Sequence, residues 1–525
     1  MRPSPSDAAP SVAAPSGSRV AVVTLGCGRN EVDSDQVAGS LHAAGLQLVD
    51  DPDDADCVVV NTCTFIAPAR EESIATVLQA CDLDAHVLVI GCMAQRYGAE
   101  LAAALPEVAG VLGFADYPRL PEIVRAVLAG GPPGAPGAPG APGAAGAAGA
   151  AGVTDADRAG STPPAGRRSL PLLAAPPVPS APRAPSAPSA PPTAAFPVRT
   201  VPRGPWAYLK IAGGCDRVCT FCAIPSFRGR FVSRPTPELV AEATWLAQEG
   251  VRELVCVSEN TTSWGKDLPG GRRSQVELIR ALEAVPGLER LRLLYLQPAE
   301  IIPELLDAMA ASPVVAPYYD LSLQHASAPV LQRMGRSGSA ERFLELIASI
   351  RRRDPAAVFR SSFIVGFPGE TEADVDLLEQ FLLEAGLDWV GFFPFSIEDG
   401  TPSATMPGQV DPAVARARRD RLVEVAEEVA AERAEAFIGR ELDVLVEAIQ
   451  DEEDDGDDGD DVVVGRSYRE GPEVDGEVRV RGCQAPVGRS VTVRVTGTDG
   501  VDLQAEPLAA PRPRAAGAGG VLAGA

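Results

Sequence analysis

Histidine is scarce in this 525-residue chain: only His42, His86 and His325 occur. Zinc sites usually combine paired C-x-x-C spacings with a nearby histidine, so such a site has little to draw on. Long apolar runs are also missing. None approaches the ~20 residues that a membrane-spanning helix needs. The first residues, Met1–Ser18, are mostly Pro, Ser and Ala, with one arginine and no apolar stretch. That is not a secretory signal. It reads as a disordered leader on a cytoplasmic protein. Positive charge is in deficit, with 46 Lys and Arg against 71 Asp and Glu and a formal net charge of −25. Phosphate backbones are gripped by Lys and Arg, so nucleic acid is not the expected partner. A basic protein partner is compatible with this balance.

What is present supports a multidomain globular enzyme. The hydrophobic share of 46% supplies sizeable cores, and the length suggests two to four domains. There are 10 cysteines. In a reducing cytosol these point to metal or catalysis more than to disulfides. Three of them, Cys215, Cys219 and Cys222, form the string C-D-R-V-C-T-F-C. A cubic 4Fe-4S cluster is normally held by four cysteines. Three in one loop leave an iron open, the corner that S-adenosylmethionine fills through its amino and carboxylate groups. The alternative is a three-cysteine zinc site completed by a distant histidine.

Composition and periodicity divide the chain. Residues 19–130 alternate Val-rich runs (Val20–Leu25, Cys57–Asn61, Val87–Ile90, Gly110–Gly113) with helical patterns (31–44, 69–80, 98–105, 120–129). This predicts an open parallel α/β sheet with crossover helices. Residues 131–202 open on a Gly-every-third tract and continue in Pro, Ala and Ser. They read as a disordered linker; a collagen helix would need three aligned chains. Residues 203–437 alternate again, with strands expected at 207–211, 253–258, 291–296, 319–323, 359–365 and 389–395, and a long charged helix at 411–437. Six such units predict a partial or complete parallel (β/α) barrel with functional residues at the strand C-termini. Residues 438–508 carry four strand-like segments, 442–447, 462–464, 477–480 and 491–496, and read as a small β-barrel of the oligonucleotide-binding type. It is interrupted by the acidic run Asp451–Asp461. Across 435–510 there are 7 Lys and Arg against 20 Asp and Glu, a net −13. Residues 509–525 read as a disordered tail.

A second set of cysteines occupies matching positions in the first unit. Cys27 follows one strand in T-L-G-C-G-R-N, Cys63 another in N-T-C-T-F-I, and Cys92 a third in V-I-G-C-M. Ligands of open α/β sheets collect beyond the strand C-termini. Three thiolates converging there could hold a second cluster with one open iron; three buried core cysteines are the alternative. Cys57, Cys81, Cys256 and Cys483 fall within strands or helices and read as core.

The chain resembles the radical S-adenosylmethionine methylthiotransferases. The likeness is carried by the two cysteine sets and by E-E-S-I beyond Cys63, Y-L-K-I-A-G-G-C before the central motif and A-I-P-S-F-R-G-R after it. It continues in S-E-N-T-T-S-W-G-K-D-L (Ser258–Leu268), D-L-S-L-Q-H-A-S (Asp320–Ser327), F-I-V-G-F-P-G-E-T-E (Phe363–Glu372) and E-D-G-T (Glu398–Thr401). The resemblance implies an N-terminal cluster domain, a radical S-adenosylmethionine barrel and a C-terminal TRAM barrel. It implies two 4Fe-4S clusters, one on Cys215, Cys219 and Cys222 that binds and cleaves S-adenosylmethionine, one on Cys27, Cys63 and Cys92 that carries the sulfur. A 5′-deoxyadenosyl radical would take hydrogen from a substrate carbon, and the sulfur, methylated by a second S-adenosylmethionine, would join it.

The motifs after Cys63 and around Ser258 resemble the branch that acts on the β-carbon of an aspartate in the twelfth small-subunit ribosomal protein. The related branch acts on an adenosine of transfer RNA, and a non-enzymatic RNA- or ribosome-binding protein with structural metal is the third possibility. An electron donor such as flavodoxin or ferredoxin and a monomeric state are implied as well. The family places Phe221 near the adenine, with loop packing as the alternative. Gly366 and Gly369 would let the backbone approach a nucleoside, or simply make a turn. Gln324 and His325 end a strand and could line the pocket. The chain departs from the family at Gly28-Arg29, where a Pro-Lys pair is common, and at Gly214, where an acidic residue is common. Its linker and acidic insertion are also unusually long.

Overall fold

The computed structural model describes residues 17–131, 198–271, 274–450 and 462–508. Most of the expected leader and linker, the acidic insertion at 451–461 and the tail lie outside the described residues.

The N-terminal domain is built on strands β1 (Arg19–Thr24), β2 (Gln47–Leu48), β3 (Cys57–Thr62), β4 (His86–Ile90) and β5 (Gly110–Val111). They are all parallel, in the order β2-β1-β3-β4-β5. Helices α1 (Gly28–Ala43), α2 (Ala67–Cys81), α3 (Gly91–Ala104) and α4 (Leu120–Leu128) cover it. Every residue of β3 is buried, which is why its sequence is a continuous Val run and not an alternation. The strand order reverses between β1 and β3, and that crevice is where such sheets bind ligands. Two expectations need correction. The short strand β2 has too few residues to leave a pattern. Helix α3 starts at Gly91, not Gly98, with a non-helical residue at Tyr97; Cys92 therefore lies on its first turn.

The described chain resumes at Val198, within the end of the expected linker, and packs between the two domains. Arg199 is buried and pairs with Asp35 at 2.5 Å and with Glu242 at 2.7 Å. Its backbone lies against Gly39 of α1, where a Cβ would come within 2.8 Å of Arg199 Cα. A composition argument saw only the Pro-rich surroundings. Strands β6 (Trp206–Lys210), β7 (Ala212–Gly213), β8 (Val232–Ser233), β9 (Glu253–Val257), β10 (Arg290–Leu293), β11 (Tyr318–Gln324), β12 (Val358–Val365) and β13 (Trp389–Pro394) follow. The six long ones run parallel in two three-stranded sheets, β6-β9-β10 and β11-β12-β13. Single bridges, Leu291 to Val315 and Leu296 to Leu321, join the two sheets. No ladder links β13 back to β6 among the described residues, so the barrel is partial. Helices α5 (Ile224–Arg228), α6 (Thr236–Gln248), α7 (Ser274–Glu283), α8 (Pro303–Ala311), α9 (Ala328–Arg333), α10 (Ala340–Arg353), α11 (Glu372–Ala385) and α12 (Pro412–Glu435) surround it. No helix among the described residues is long and apolar enough to cross a membrane.

The C-terminal domain is a closed barrel of β14 (Glu441–Gln450), β15 (Val462–Arg466), β16 (Val478–Arg481), β17 (Ser490–Asp499) and β18 (Asp502–Pro507), in the order β14-β15-β16-β18-β17. Strand β18 was not expected from the sequence. Leu503 and Ala505 are its only fully buried apolar side chains, which is a weak alternation.

Buried charge holds the domains together. Glu253 of β9 has no exposed surface and meets Arg292 at 2.9 Å, Arg466 at 3.1 Å and Arg290 at 3.2 Å. Burial alone would raise its carboxyl, but the three guanidiniums outweigh that and hold it far below the ordinary 4.5. Arg466 belongs to β15, so the cluster bolts the C-terminal barrel to the central one. Glu253→Gln is expected to lower stability by about 3–5 kcal/mol at neutral pH, because Arg290 and buried Arg292 lose their anion and Arg466 is left with Glu447 alone. A group whose folded pKa is depressed contributes stability above its unfolded pKa and loses it as pH falls. The gap between parent and variant should therefore be constant from about pH 7 to pH 5 and shrink below about 4.5. Urea unfolding across that range checks both statements. A gap that grows on acidification would contradict them.

Candidate functional site

Cys27, Cys63 and Cys92 stand at the C-terminal ends of β1, β3 and β4. Cys27 is the N-cap of α1, and its carbonyl accepts from Asn30 N at 2.7 Å. Cys63 N–H donates to Ser73 Oγ and its carbonyl accepts from the same hydroxyl, each at 2.9 Å. The approach is tight. A Cβ on Gly26 would fall 2.9 Å from Cys63 Sγ, and one on Gly91 would fall 2.3 Å from Asn61 Oδ1. Gly91 also has φ +93°, so only glycine fits before Cys92.

Cys63 feels the charge of Cys27 and Cys92, and Cys92 that of Cys27. Burial would raise Cys27, yet Arg29 and Arg228 outweigh it and its pKa falls below the ordinary 9.0. Burial pushes Cys63 up to about 11. It also raises Cys92, with Arg228 opposing. Cys27 and Cys92 sit at helix N-termini, where the dipole favours thiolate.

Cys215, Cys219 and Cys222 lie in the loop between β7 and α5. Cys215 N donates to Gly229 O at 3.1 Å, Cys222 N to Cys219 O at 3.2 Å, and Thr220 N to Met334 O at 3.0 Å. Asp216 ties the loop down, accepting from Phe231 N at 3.1 Å and pairing with Lys266 at 3.1 Å. Here too the thiols act on one another, with burial pushing Cys222 up to about 12. Arg336 Nη1 stands 3.7 Å from Cys219 Sγ.

The two sets are linked at the interface between the N-terminal and central domains, where Arg228, on the helix after Cys222, donates to Cys92 Sγ. Arg29 is a second link. Its charge acts on Cys27 and Cys92 of one set and on Cys222 of the other. It donates to Ser258 O at 3.1 Å, lies 3.7 Å from Glu259 and stacks 5.3 Å from the Tyr295 ring. Both oxygens of buried Glu259 lack a hydrogen bond among the described residues. Around this centre the domains are clamped. Lys210 meets Asp33 at 2.6 Å, and Glu398, in the E-D-G-T motif, receives Arg96 at 2.9 Å and Arg70 at 3.1 Å.

The thiols suit an iron-sulfur cluster better than zinc. Among the described residues no three Cys, His, Asp or Glu side chains stand close enough to clasp a single metal ion. None of the histidines can complete a zinc site. His42 is in the last turn of α1, His86 opens β4 at the opposite end from Cys92, and His325 is fully buried, accepting from Ser327 N at 2.9 Å and facing Glu370 at 3.4 Å.

The other candidates sort differently. Phe221 packs against the main core of the central barrel. At Gly366 (φ +78°) a Cβ would fall 2.4 Å from Ala415 of α12, and at Gly369 (φ +78°) 3.2 Å from Arg333 Nε. Turn geometry and packing account for both glycines. At Gly214 a Cβ would strike Arg230 O at 2.1 Å, so an acidic residue could not stand there. Gly28 allows Tyr208 to lie against α1, where a Cβ would meet its ring at 2.5 Å. Cys57 and Cys256 are buried strand residues. Cys483 is buried in the loop that follows β16, not in a strand, and Cys81 is only half-buried at the end of α2.

The roles of Arg228, Asn30, Asp33 and Glu259 escaped sequence reasoning. The signal available was the pair of cations in F-R-G-R just past the cysteine loop.

Residues 19–113 match the model described as uncharacterized protein family UPF0004, residues 209–382 the radical SAM superfamily, and residues 438–508 the TRAM domain. Among characterised relatives, the chain is 48% identical over 497 residues to the ribosomal protein uS12 methylthiotransferase RimO of Kineococcus radiotolerans. That alignment covers 93% of this chain and 97% of the relative. It is 47% identical to the proteins of the same name from Streptomyces avermitilis and Salinispora arenicola. Those alignments cover 93% and 94% of this chain and 96% of each relative.

Proposed function

The chain belongs to the ribosomal protein uS12 methylthiotransferase family, and from that premise we propose that it transfers a methylthio group to the β-carbon of an aspartate in the twelfth protein of the small ribosomal subunit. It is a radical S-adenosylmethionine enzyme, with 4Fe-4S and S-adenosylmethionine as cofactors. The observation that carries the reading is the pair of three-cysteine sets tied together at one domain interface, where Arg228, on the helix that follows Cys222, stands 3.1 Å from Cys92 Sγ.

Cys215, Cys219 and Cys222 would hold one cluster and Cys27, Cys63 and Cys92 the other, each with one iron left open. When bound, these groups supply a carbon radical at the first site and the sulfur at the second. A β-carbon beside a carboxylate has no leaving group and no usefully acidic proton, so acid–base catalysis would not suffice. The protein's part is to orient and enclose. Arg29 and Glu259 form a buried pair beside the Cys27, Cys63 and Cys92 set, and the Lys210–Asp33 and Arg96–Glu398 pairs hold the two domains in register. Phe221, Gly366 and Gly369 support the nucleoside side of the site through packing and turn shape. An electron donor of the flavodoxin or ferredoxin class, a monomeric state and a cytoplasmic location complete the reading.

The test offers an aspartate-containing loop peptide of the twelfth small-subunit protein and unmodified transfer RNA in parallel, with mass spectrometry of both. The peptide should gain a methylthio group, with one S-adenosylmethionine recovered as 5′-deoxyadenosine and another as S-adenosylhomocysteine. Modification of the RNA and not of the peptide would overturn the assignment.

A further inference from the structure

Arg228 ends α5, the short helix that leaves the Cys215–Cys222 loop. Its guanidinium crosses into the N-terminal domain. Nε stands 3.3 Å and Nη2 3.1 Å from Cys92 Sγ. The same Nη2 donates to Asn30 Oδ1 at 2.8 Å and pairs with Asp33 at 3.3 Å. The guanidinium lies 4.9 Å from the centre of the Phe114 ring, and its side chain is 7% exposed. Two donors of a planar fork are thus held on one sulfur. A lysine keeps the charge but has no such fork.

Hydrogen bonds to the ligand sulfurs, with net charge and solvent exposure, set the reduction potential of an iron-sulfur cluster. N–H donors on a thiolate draw negative charge off the cluster and favour its reduced form. We propose that Arg228 raises the reduction potential of the cluster held by Cys27, Cys63 and Cys92, so that a residue of the radical domain sets the redox poise of the sulfur-carrying domain. The proposal rests on the reading of those cysteines as cluster ligands. The step is a one-electron reduction: an external low-potential reductant gives one electron to the cluster, and no bond or proton moves. Arg203 serves as the internal contrast. It reaches from the central domain to Asp50 of the N-terminal domain at the exposed surface, without a bond to sulfur among the described residues.

The experiment uses the full chain carrying Cys215→Ala, Cys219→Ala and Cys222→Ala, so that one cluster reports. Its potential is followed by electron paramagnetic resonance during a redox titration, with iron content measured on each sample. Arg228→Met should shift the potential to more negative values. Arg228→Lys should shift it in the same direction by less, and Arg203→Met should leave it in place. If Arg228→Met loses iron, Arg228→Lys decides by the same titration. Unchanged potentials in the Arg228 variants at full iron content overturn the proposal, as does an equal shift in Arg203→Met, which would trace the effect to the interface in general. A parent that binds no iron before Arg228 is touched overturns the cluster reading, and the proposal with it.

Discussion

Full-length protein carrying Cys215→Ala, Cys219→Ala and Cys222→Ala is expected to hold about four irons where the reconstituted parent holds about eight, and to form no 5′-deoxyadenosine. The loop does not depend on its thiols for shape. Its backbone is tied to Gly229 and Met334, and its Asp216 side chain accepts from Phe231 N, by hydrogen bonds that survive the substitutions. The remaining iron should keep the spectrum of a 4Fe-4S cluster, because the other cysteines come from a separate sheet. Anaerobic reconstitution, iron analysis and chromatography of the nucleoside products check this. Zinc in place of iron, or a single cluster in the parent, would refute it.

The complementary variant carries Cys27→Ala, Cys63→Ala and Cys92→Ala. It should still cleave S-adenosylmethionine to 5′-deoxyadenosine but yield no methylthiolated peptide. The three positions sit at strand ends and helix starts whose geometry is set by Gly26, Gly91 and the Ser73 hydroxyl, not by sulfur. Removing small side chains there costs packing of about 1 kcal/mol per site, which a domain with its own buried sheet tolerates. Loss of 5′-deoxyadenosine together with the product would show that the two sites do not act separately. Product formed without these cysteines would remove them from sulfur delivery.

Some of this was legible because it is local. The spacing of Cys215, Cys219 and Cys222 lies within one loop. Cys27, Cys63 and Cys92 each follow a Val-rich run that can only be a buried strand, and parallel strands place their C-termini on one edge. The order of domains, the partial barrel and the closed C-terminal barrel followed from the same periodicities. Weakly patterned pieces were lost. Strand β2 has two residues, the start of α3 is hidden by its interruption at Tyr97, and the ordered Val198–Pro202 looks like the linker it ends.

The sequence by itself determined the six candidate cysteines, their grouping in threes and the elements that carry them, because these depend on short spacings and on backbone preference. Only the tertiary structure decided which charges meet. Arg228 lies 136 residues from Cys92, and Glu253 lies far in sequence from Arg466. No period or local motif encodes such pairs. A buried cation has to find an anion or a sulfur wherever the fold brings one, and only the packing of the N-terminal, central and C-terminal domains brings these together.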